Sequence, residues 1–205
     1  MFIKNNYKII KSAISKELAS FLYEYFFLKR KVAITLFETS YIPPNHIDWG
    51  FWNDPQVLNT YSSYGDLAME TLLLKIKPLL EKETELKLVE TYSFARLYKK
   101  GDILERHKDR PSCEISTTLN LGGDSWSIFL EPSIEVNLSP GDMLIYRGAL
   151  LDHWREEFKG NSCGQVFLHY NDASNPNAKK NKYDARPFIG LPHFFKNKTV
   201  SNENK

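Results

Sequence analysis

Residues 87–109 read KLVETYSFARLYKKGDILERHKD and set the character of the second half of the chain. The run Lys87–Tyr98 is rich in β-branched and aromatic residues, and a turn at Gly101-Asp102 separates it from the next extended run. Six more short β-prone runs follow between turn residues: Ser112–Leu121, Ser125–Leu130, Glu135–Leu138, Asp142–Arg147, His153–Phe158 and Gln165–Tyr170. Short strands at this spacing, without helices between them, favour a double-sheet jelly roll over alternating βαβ units.

Two helices are predicted before these strands. Ser15 is a suitable N-cap, and apolar residues recur at helical spacing until the basic run Lys29-Arg30-Lys31 closes the first helix. The second helix extends from Asp66 to about Glu83, and Pro78 is expected to kink or shorten it. Residues 40–63 lie between them and have the composition of a long ordered loop. The expected fold is therefore mainly β with N-terminal helices and a double-stranded β-helix (jelly-roll, cupin-like) core.

The composition fits one globular domain. The chain has 205 residues, of which 42% are hydrophobic and 25% are charged. We expect a single domain over residues 1–174, with a helical part at 1–86 and the jelly-roll core at 87–174. Residues 175–205 are rich in Asn and Lys and are expected to form a partly ordered extension.

Charge and hydropathy restrict the partners of this domain. A formal net charge of +2 is too small to indicate a nucleic-acid or membrane partner. No apolar run is long enough for a membrane span, and the opening MFIKNNYKIIKS lacks the apolar run of a signal peptide. The two cysteines, Cys113 and Cys163, are expected to be buried thiols rather than a disulfide. We expect a cytoplasmic protein, and neither length nor composition indicates an oligomeric state.

Two histidines and one aspartate form the candidate chemical site. His107 and Asp109 are two residues apart, so on an extended strand both side chains point to the same face. His153 lies at the start of another predicted strand. A lone histidine on an apolar strand is more often a hydrogen-bonded core residue, so the joint pattern carries the prediction. Two histidines with one carboxylate are the facial triad of non-haem Fe(II), which leaves coordination positions open.

The segments around these residues resemble a known family. Tyr98–Asp109 and Pro140–Gly148 are similar to the corresponding segments of prolyl-hydroxylase-like Fe(II)/2-oxoglutarate-dependent dioxygenases, most closely to compact members encoded by marine tailed phages. The resemblance covers about Thr91 to Asn171. It implies an oxidoreductase that uses Fe(II), 2-oxoglutarate and O2, with ascorbate as a candidate reductant. It also implies that the metal ligands and catalytic centre are His107, Asp109 and His153.

The cosubstrate site departs from the family pattern. Relatives place an Arg or Lys nine or ten residues after the second histidine, where this chain has Ser162 and Cys163. Arg155 is two residues after His153, so on a strand it faces the same cavity and could bind a carboxylate bidentately. An ion pair with Asp152, Glu156 or Glu157 is the alternative for Arg155. Tyr98 matches a family tyrosine that helps to bind the cosubstrate, and the remaining candidates are Thr118 and Gln165.

Some residues have both a structural and a functional interpretation. Arg110 could orient Asp109, steer the substrate, or pair with Glu105 or Glu114 at a strand edge. The long loop carries several aromatic residues, which could either cover the pocket mouth or hold the loop against the core as a hydrophobic latch. The latch is the favoured interpretation. These residues are Trp49, Phe51, Trp52, Tyr61 and Tyr64. Four residues on the predicted strands could line the pocket, but core packing is the preferred interpretation for them: Trp126, Trp154, His169 and Tyr170.

The resemblance implies hydroxylation of an unactivated C–H bond, with a peptidyl proline, another protein side chain or a small molecule as substrate. Two other functions stay open. An oxidative nucleic-acid demethylase would need stacking aromatics beside its basic residues, and none accompany the basic residues near the motif: Lys99, Lys100, Arg106, Lys108 and Arg110. A non-catalytic jelly-roll ligand-binding protein would use the pocket without an open metal site.

Overall fold

The computed structural model describes residues 1–199. The helices in this range are α1 (Phe2–Asn5), α2 (Lys16–Glu38), α3 (Leu67–Thr84) and α4 (Ala178–Asn181). The strands are β1 (Tyr7–Ile10), β2 (Tyr61–Tyr64), β3 (Leu88–Lys99), β4 (Leu104–His107), β5 (Ile115–Gly123), β6 (Ile128–Leu130), β7 (Ile134–Val136), β8 (Met143–Tyr146), β9 (His153–Arg155) and β10 (Ser162–Asp172). None of the helices in this range is long and apolar enough to cross a membrane.

The strands form two antiparallel sheets. The larger sheet has the order β1-β8-β5-β10-β3-β2, and the smaller has the order β4-β9-β6-β7. Side chains of β6 and β7 pack against those of β8, so the inner faces of the two sheets meet. This arrangement confirms the prediction of a mainly β, jelly-roll core preceded by helices.

Alternation along the strands separates two layers of packing. Met143 and Ile145 of β8 point to the helices, where they join a core that includes Phe26 and Leu73. The intervening Leu144 and the last residue of β8 point to the smaller sheet. Helices α2 and α3 therefore cover one face of the larger sheet, and the space between the sheets is left for a site.

Helix α2 extends further than predicted, whereas α3 has close to its predicted bounds and is not shortened at Pro78. Helix α2 begins at the expected Ser15 cap, whose Oγ accepts from Leu18 N at 3.1 Å, but it continues past the basic run to Glu38. Buried Ala33 and the packing of Phe37 on Trp52 stabilise this additional length. Helix α3 continues through Pro78 to Thr84. Pro78 is exposed, so water can satisfy the carbonyl that its missing N–H leaves free.

Two strands were absent from the predicted set. Strand β1 pairs with β8, with Tyr7 opposite Tyr146, while β2 pairs with β3. Each of the two has only four residues, too few for a clear periodic pattern. The extended run predicted before His107 is strand β4, which pairs with β9 in the smaller sheet.

The structure describes residues 175–199 of the predicted C-terminal extension, and its last residues, 200–205, lie outside the described part. Within 175–199, Ala178, Asp184 and Arg186 are buried. Arg186 pairs with Glu70 of α3 at 2.7 Å, and Asp184 accepts a hydrogen bond from the Tyr64 hydroxyl at 2.7 Å. This part of the chain is therefore packed against the domain.

Candidate metal centre

His107, Asp109 and His153 meet at one end of the space between the sheets. One ligand atom from each lies within 4.8 Å of the other two. Asp109 Oδ1 is 3.8 Å from His107 Nε2 and 3.6 Å from His153 Nε2. Two ligands that each bind one ion at about 2 Å lie about 3–4 Å apart, so these three atoms can share a metal with little movement.

Strand pairing and carbonyl contacts orient both imidazoles. His107 ends β4 and lies opposite His153, the first residue of β9. His107 Nδ1 is 2.7 Å from the Glu105 carbonyl oxygen, and His153 Nδ1 is 3.1 Å from that of Leu151. A carbonyl only accepts, so both Nδ1 atoms carry the proton. The Nε2 lone pair of each ring is then the one that can bind a metal, and in this structure the lone pair of His107 accepts from the Gln56 amide at 2.8 Å, a contact that a metal would replace.

Asp109 is positioned by β5 and by the loop after β8. Its backbone N–H donates to the Gly148 carbonyl at 2.9 Å, and Ser116 Oγ donates to its Oδ2 at 2.6 Å. These bonds leave Oδ1 for the metal. Because β4 ends at His107, the alternation expected along one strand does not by itself place Asp109. Neither Ser116 nor Gly148 has a signal in the sequence, because both contacts join segments that are distant in sequence.

A third imidazole continues this hydrogen-bond chain. His169 Nδ1 is 3.0 Å from Ser116 Oγ, and the hydroxyl proton of Ser116 is used on Asp109. His169 Nδ1–H is therefore the donor to Ser116. Burial lowers the pKa of His169 to about 4 and also lowers the pKa of His153. Both rings are neutral near pH 7, as a metal-binding histidine must be.

A cavity of about 280 Å³ opens onto the three ligand side chains. Its other lining residues include Tyr92, Phe94, Cys113, Tyr146, Phe167 and His169. His169 was interpreted as core, and the structure places it on the cavity wall. A larger groove of about 620 Å³ lies between α2 and the start of α3, but none of the candidate site residues lines it.

Residues of the long loop form one wall of this cavity. Buried Arg96 of β3 donates through Nη2 to Asp54 Oδ2 at 2.9 Å and to Gln56 Oε1 at 3.2 Å. Since arginine only donates, the Gln56 amide nitrogen faces the other way, and it lies 2.8 Å from His107 Nε2. Trp49 and Trp52 of the same loop pack on the main core, in agreement with the favoured interpretation of the loop aromatics as a latch. The role of Asp54 and Gln56 in the cavity wall had no signal in the sequence.

Arg155 is buried on the inner face of the smaller sheet. Its Nη1 donates to the Trp126 carbonyl at 2.5 Å, and its Nη2 donates to Thr118 Oγ1 at 3.3 Å. Its Nε is buried without a hydrogen-bond partner in the described residues. Among residues 1–199 the guanidinium has no carboxylate within ion-pair distance, so the alternative pairing with a neighbouring acid is wrong.

The other cosubstrate candidates surround Arg155. Thr118 Oγ1 donates to Gln165 Oε1 at 3.0 Å, so these two residues and Arg155 form one chain. Tyr98 contacts the Trp126 ring edge to face, with ring centroids 4.7 Å apart, and its hydroxyl accepts from Arg96 at 3.2 Å. Tyr98 and Arg155 thus share the Trp126 ring, over which the Arg155 guanidinium lies at 5.0 Å. The four candidates are neighbours, but none of them is among the described residues that line the cavity at the metal ligands.

Arg110 pairs with Asp184, which is 74 residues away in the sequence. Its Nη2 donates to Asp184 at 2.8 Å, and its guanidinium lies over the Tyr92 ring at 4.6 Å. Within residues 1–199 Arg110 forms no ion pair with Glu105 or Glu114, so the predicted pairing at a strand edge is wrong. Asp184 belongs to the segment after α4, whose approach to this rim had no signal in the sequence.

No family model and no curated protein matches this sequence. Solved structures do match. AviO1 from Streptomyces viridochromogenes Tue57 is 14% identical with a TM-score of 0.60, over 84% of this chain and 92% of that chain. A Pseudomonas putida prolyl-4-hydroxylase is 14% identical with a TM-score of 0.53, over 84% and 96%. HygX from Streptomyces hygroscopicus, solved with nickel and 2-oxoglutarate bound, is 12% identical with a TM-score of 0.55, over 84% and 85%. At these identities the likeness shows a shared fold.

Proposed function

We propose that this protein is an Fe(II)- and 2-oxoglutarate-dependent dioxygenase that hydroxylates an unactivated C–H bond. The observation that carries the proposal is the convergence of His107 Nε2, Asp109 Oδ1 and His153 Nε2 on the wall of a cavity. Two neutral imidazoles and one carboxylate on one side of an ion are the donor set of non-haem iron. Fe(II), once bound with 2-oxoglutarate and O2, supplies the oxidising power.

Arg155 is the proposed anchor for the distal carboxylate of 2-oxoglutarate. A guanidinium that is 1% exposed, has no anionic partner in residues 1–199 and keeps Nε unpaired is costly unless an anion binds it. Its planar fork suits bidentate binding of a carboxylate. Thr118, Gln165 and Tyr98 complete this proposed site, which replaces the basic residue that relatives place nine or ten residues after the second histidine.

The proposed substrate is a peptidyl proline or another protein side chain, with a small molecule as the second option. The resemblance to prolyl-hydroxylase-like proteins encoded by phages supports a peptide, as does the prolyl-4-hydroxylase among the structural neighbours. AviO1 and HygX have the same fold, and the mouth of the barrel rather than the fold selects a substrate. We further propose that the enzyme acts in a reducing cytoplasm, that of the host if a phage encodes it.

The first experiment tests the metal centre directly. Anaerobic Fe(II) and 2-oxoglutarate should give the visible charge-transfer band of a chelated 2-oxo acid. His107→Ala and Asp109→Ala should abolish this band and the conversion of 2-oxoglutarate to succinate in air, because each removes one metal ligand. His46→Ala is the matched control, since His46 is on the loop surface and is not a ligand candidate.

Two results would contradict the proposal. Folded wild-type protein without the band would favour a non-catalytic binding protein. Turnover that survives both substitutions would mean that the ligands are assigned wrongly. Binding of single-stranded DNA that weakens as salt is added would instead point to the nucleic-acid demethylase. Such salt dependence comes from counterions that leave the DNA on binding, and a peptide hydroxylase should not show it.

A further inference from the structure

Two cationic residues flank the metal ligand Asp109 in the sequence, and both of them line the cavity. They are Lys108 and Arg110, and because both are exposed they belong to the rim of the cavity rather than to its interior. The aromatic rings of Phe94 and Phe167 line the same cavity, with centroids 6.5 Å apart. A molecule that enters therefore meets both positive charge and aromatic carbon.

The other charged residues of this cavity are compensated by groups of the protein. Arg96 pairs with Asp54 at 2.9 Å, so this cation and this acid cancel. Asp109 has Oδ1 at the metal position and accepts from Ser116 through Oδ2. Lys108, in contrast, has no carboxylate within ion-pair distance in residues 1–199. Water solvates its exposed ammonium, but no group of the protein cancels its field at the cavity.

Arg110 is held in place without being neutralised. Its Nη2 donates to Asp184 at 2.8 Å, and its guanidinium lies over the Tyr92 ring at 4.6 Å. Asp184 also pairs with Lys196 at 2.5 Å, so one carboxylate serves two cations and the group keeps one positive charge. The Arg110 side chain is still 45% exposed. Part of its planar fork is therefore open to a second carboxylate.

The charge of the loaded metal centre does not remove this excess at the rim. With Fe(II), the Asp109 carboxylate, the 2-oxoglutarate dianion and the Arg155 guanidinium all present, the positive and negative charges of the centre balance. Lys108 and Arg110 are then the uncompensated charges that a substrate meets next to the metal ligands. Charge complementarity of this kind selects between ligands of similar shape.

We propose that Lys108 and Arg110 make the enzyme selective for a substrate that has a carboxylate close to the carbon that is oxidised. This inference rests on the proposed function. The carboxylate binds at the rim, and the apolar part of the substrate packs on Phe94 and Phe167. In a peptide the carboxylate belongs to an acidic residue beside the target residue, and in a small molecule it is an acid group.

The test compares ligands that differ only in charge, on protein loaded with Zn(II) and an excess of 2-oxoglutarate. One pair is N-acetyl-Glu-Pro-amide and N-acetyl-Gln-Pro-amide, and the other is phenylpropionate and its amide. Calorimetry gives the dissociation constants. In at least one pair we expect the acid to bind about tenfold more tightly than the amide, because it gains a charge-assisted hydrogen bond. The pair that responds shows whether the carboxylate comes from a peptide or from a small molecule.

Three variants change the charge of the rim. Lys108→Gln and Arg110→Gln should each reduce the preference for the acid to about threefold or less, and Lys108→Glu should prefer the amide, because like charges repel. Lys108 has no ion pair in residues 1–199, so its variants keep the test decisive even if Arg110→Gln unfolds. Lys100→Gln is the matched control, since Lys100 is an exposed lysine of the turn after β3 and does not line the cavity. It should keep the preference of the wild type.

The outcomes separate this inference from the proposed function. A wild-type protein without the charge-transfer band contradicts the proposed function, and the selectivity of the rim falls with it. A normal band without tighter binding of the acid in either pair overturns the role of Lys108 and Arg110 alone. An unchanged preference in the Lys108 and Arg110 variants also overturns it. So does an equal weakening of 2-oxoglutarate binding in these variants, since the two charges would then act on the cosubstrate.

Discussion

Gly148 has no room for a side chain beside the metal carboxylate. A β-carbon at this position would overlap Asp109 Oδ2 and would lie 2.5 Å from Ser116 Oγ. We therefore predict that Gly148→Ala displaces Asp109 and weakens Fe(II) binding at least about tenfold, as loss of an outer-sphere contact does in other metal sites. Metal titration followed by protein fluorescence measures this.

The neighbouring substitution Ala149→Ser is the control for Gly148→Ala, because Ala149 is exposed in the same loop. It should bind Fe(II) like the wild type. Wild-type affinity in Gly148→Ala would show that the Asp109 and Ser116 side chains can move without loss of the site.

His169 should make the metal-free protein sensitive to mild acid. Burial lowers its pKa from an ordinary value of 6.5 to about 4, so between these values the unfolded chain binds a proton that the folded chain does not. Stability is then present above about pH 6.5 and lost as the pH falls towards 4. Between pH 7 and pH 5 this one residue should cost about 2 kcal/mol of unfolding free energy.

His169→Asn tests this contribution, because the Asn amide can replace Nδ1–H as a donor to Ser116 and does not titrate. Urea unfolding at pH 7 and pH 5 should show a smaller loss in the variant than in the wild type, by about 2 kcal/mol. Equal losses in both proteins would mean that His169 is protonated in the folded state at pH 5.

The wall of the cavity formed by residues 53–57 depends on one side chain. Arg96 donates to Asp54 and Gln56 of the loop and also to Ser62 and Tyr98, so one buried guanidinium joins the loop to the barrel. We predict that Arg96→Met speeds amide hydrogen exchange over residues 53–57 at least about tenfold, because the loop loses its charged anchor. The helices and central strands should exchange as before.

Arg106→Met is the control for the loop prediction. Arg106 is half exposed on the outer face of the smaller sheet, where it pairs with Asp152 and Glu131. Its loss should leave exchange in residues 53–57 unchanged. Slow exchange there in Arg96→Met would show that aromatic packing, such as Phe37 on Trp52, is enough to hold the loop.

Among the helices and strands, the sequence pattern predicted those features that depend on neighbouring residues in the chain. The Ser15 cap, the strands β3 and β10 and the fold class followed from spacing and composition. The end of α2 and the continuation of α3 through Pro78 did not, because tertiary packing and exposure decided them. The same division applies to the site. Spacing identified the three ligand candidates, but Ser116 and Gln56 act through contacts between distant segments.

At the scale of the whole molecule, a buried ion pair joins the segment after α4 to helix α3. Arg186 and Glu70 are both nearly inaccessible, and their side chains join at 2.7 Å. Glu70 also accepts from the backbone N–H of Ser93 and of Gly190, while Arg186 donates to the carbonyls of Tyr183 and Thr91. Every charge in this cluster is hydrogen-bonded, which is the condition under which a buried pair is tolerated.

Breaking this pair from one side should destabilise the protein strongly. We predict that Arg186→Met lowers the free energy of unfolding by about 3–5 kcal/mol, because Glu70 stays buried without its cation. Burial raises the pKa of Glu70 even with Arg186 present, so in the variant this carboxyl should take up a proton more readily and the loss should shrink at acid pH. The double variant Glu70→Met with Arg186→Met should regain at least half of the loss, since no charge is left unpaired. Guanidinium unfolding of the three proteins measures these values. If Arg186→Met unfolds within about 1 kcal/mol of the wild type, the segment after α4 contributes little, and the helices and sheets alone account for the stability of the fold.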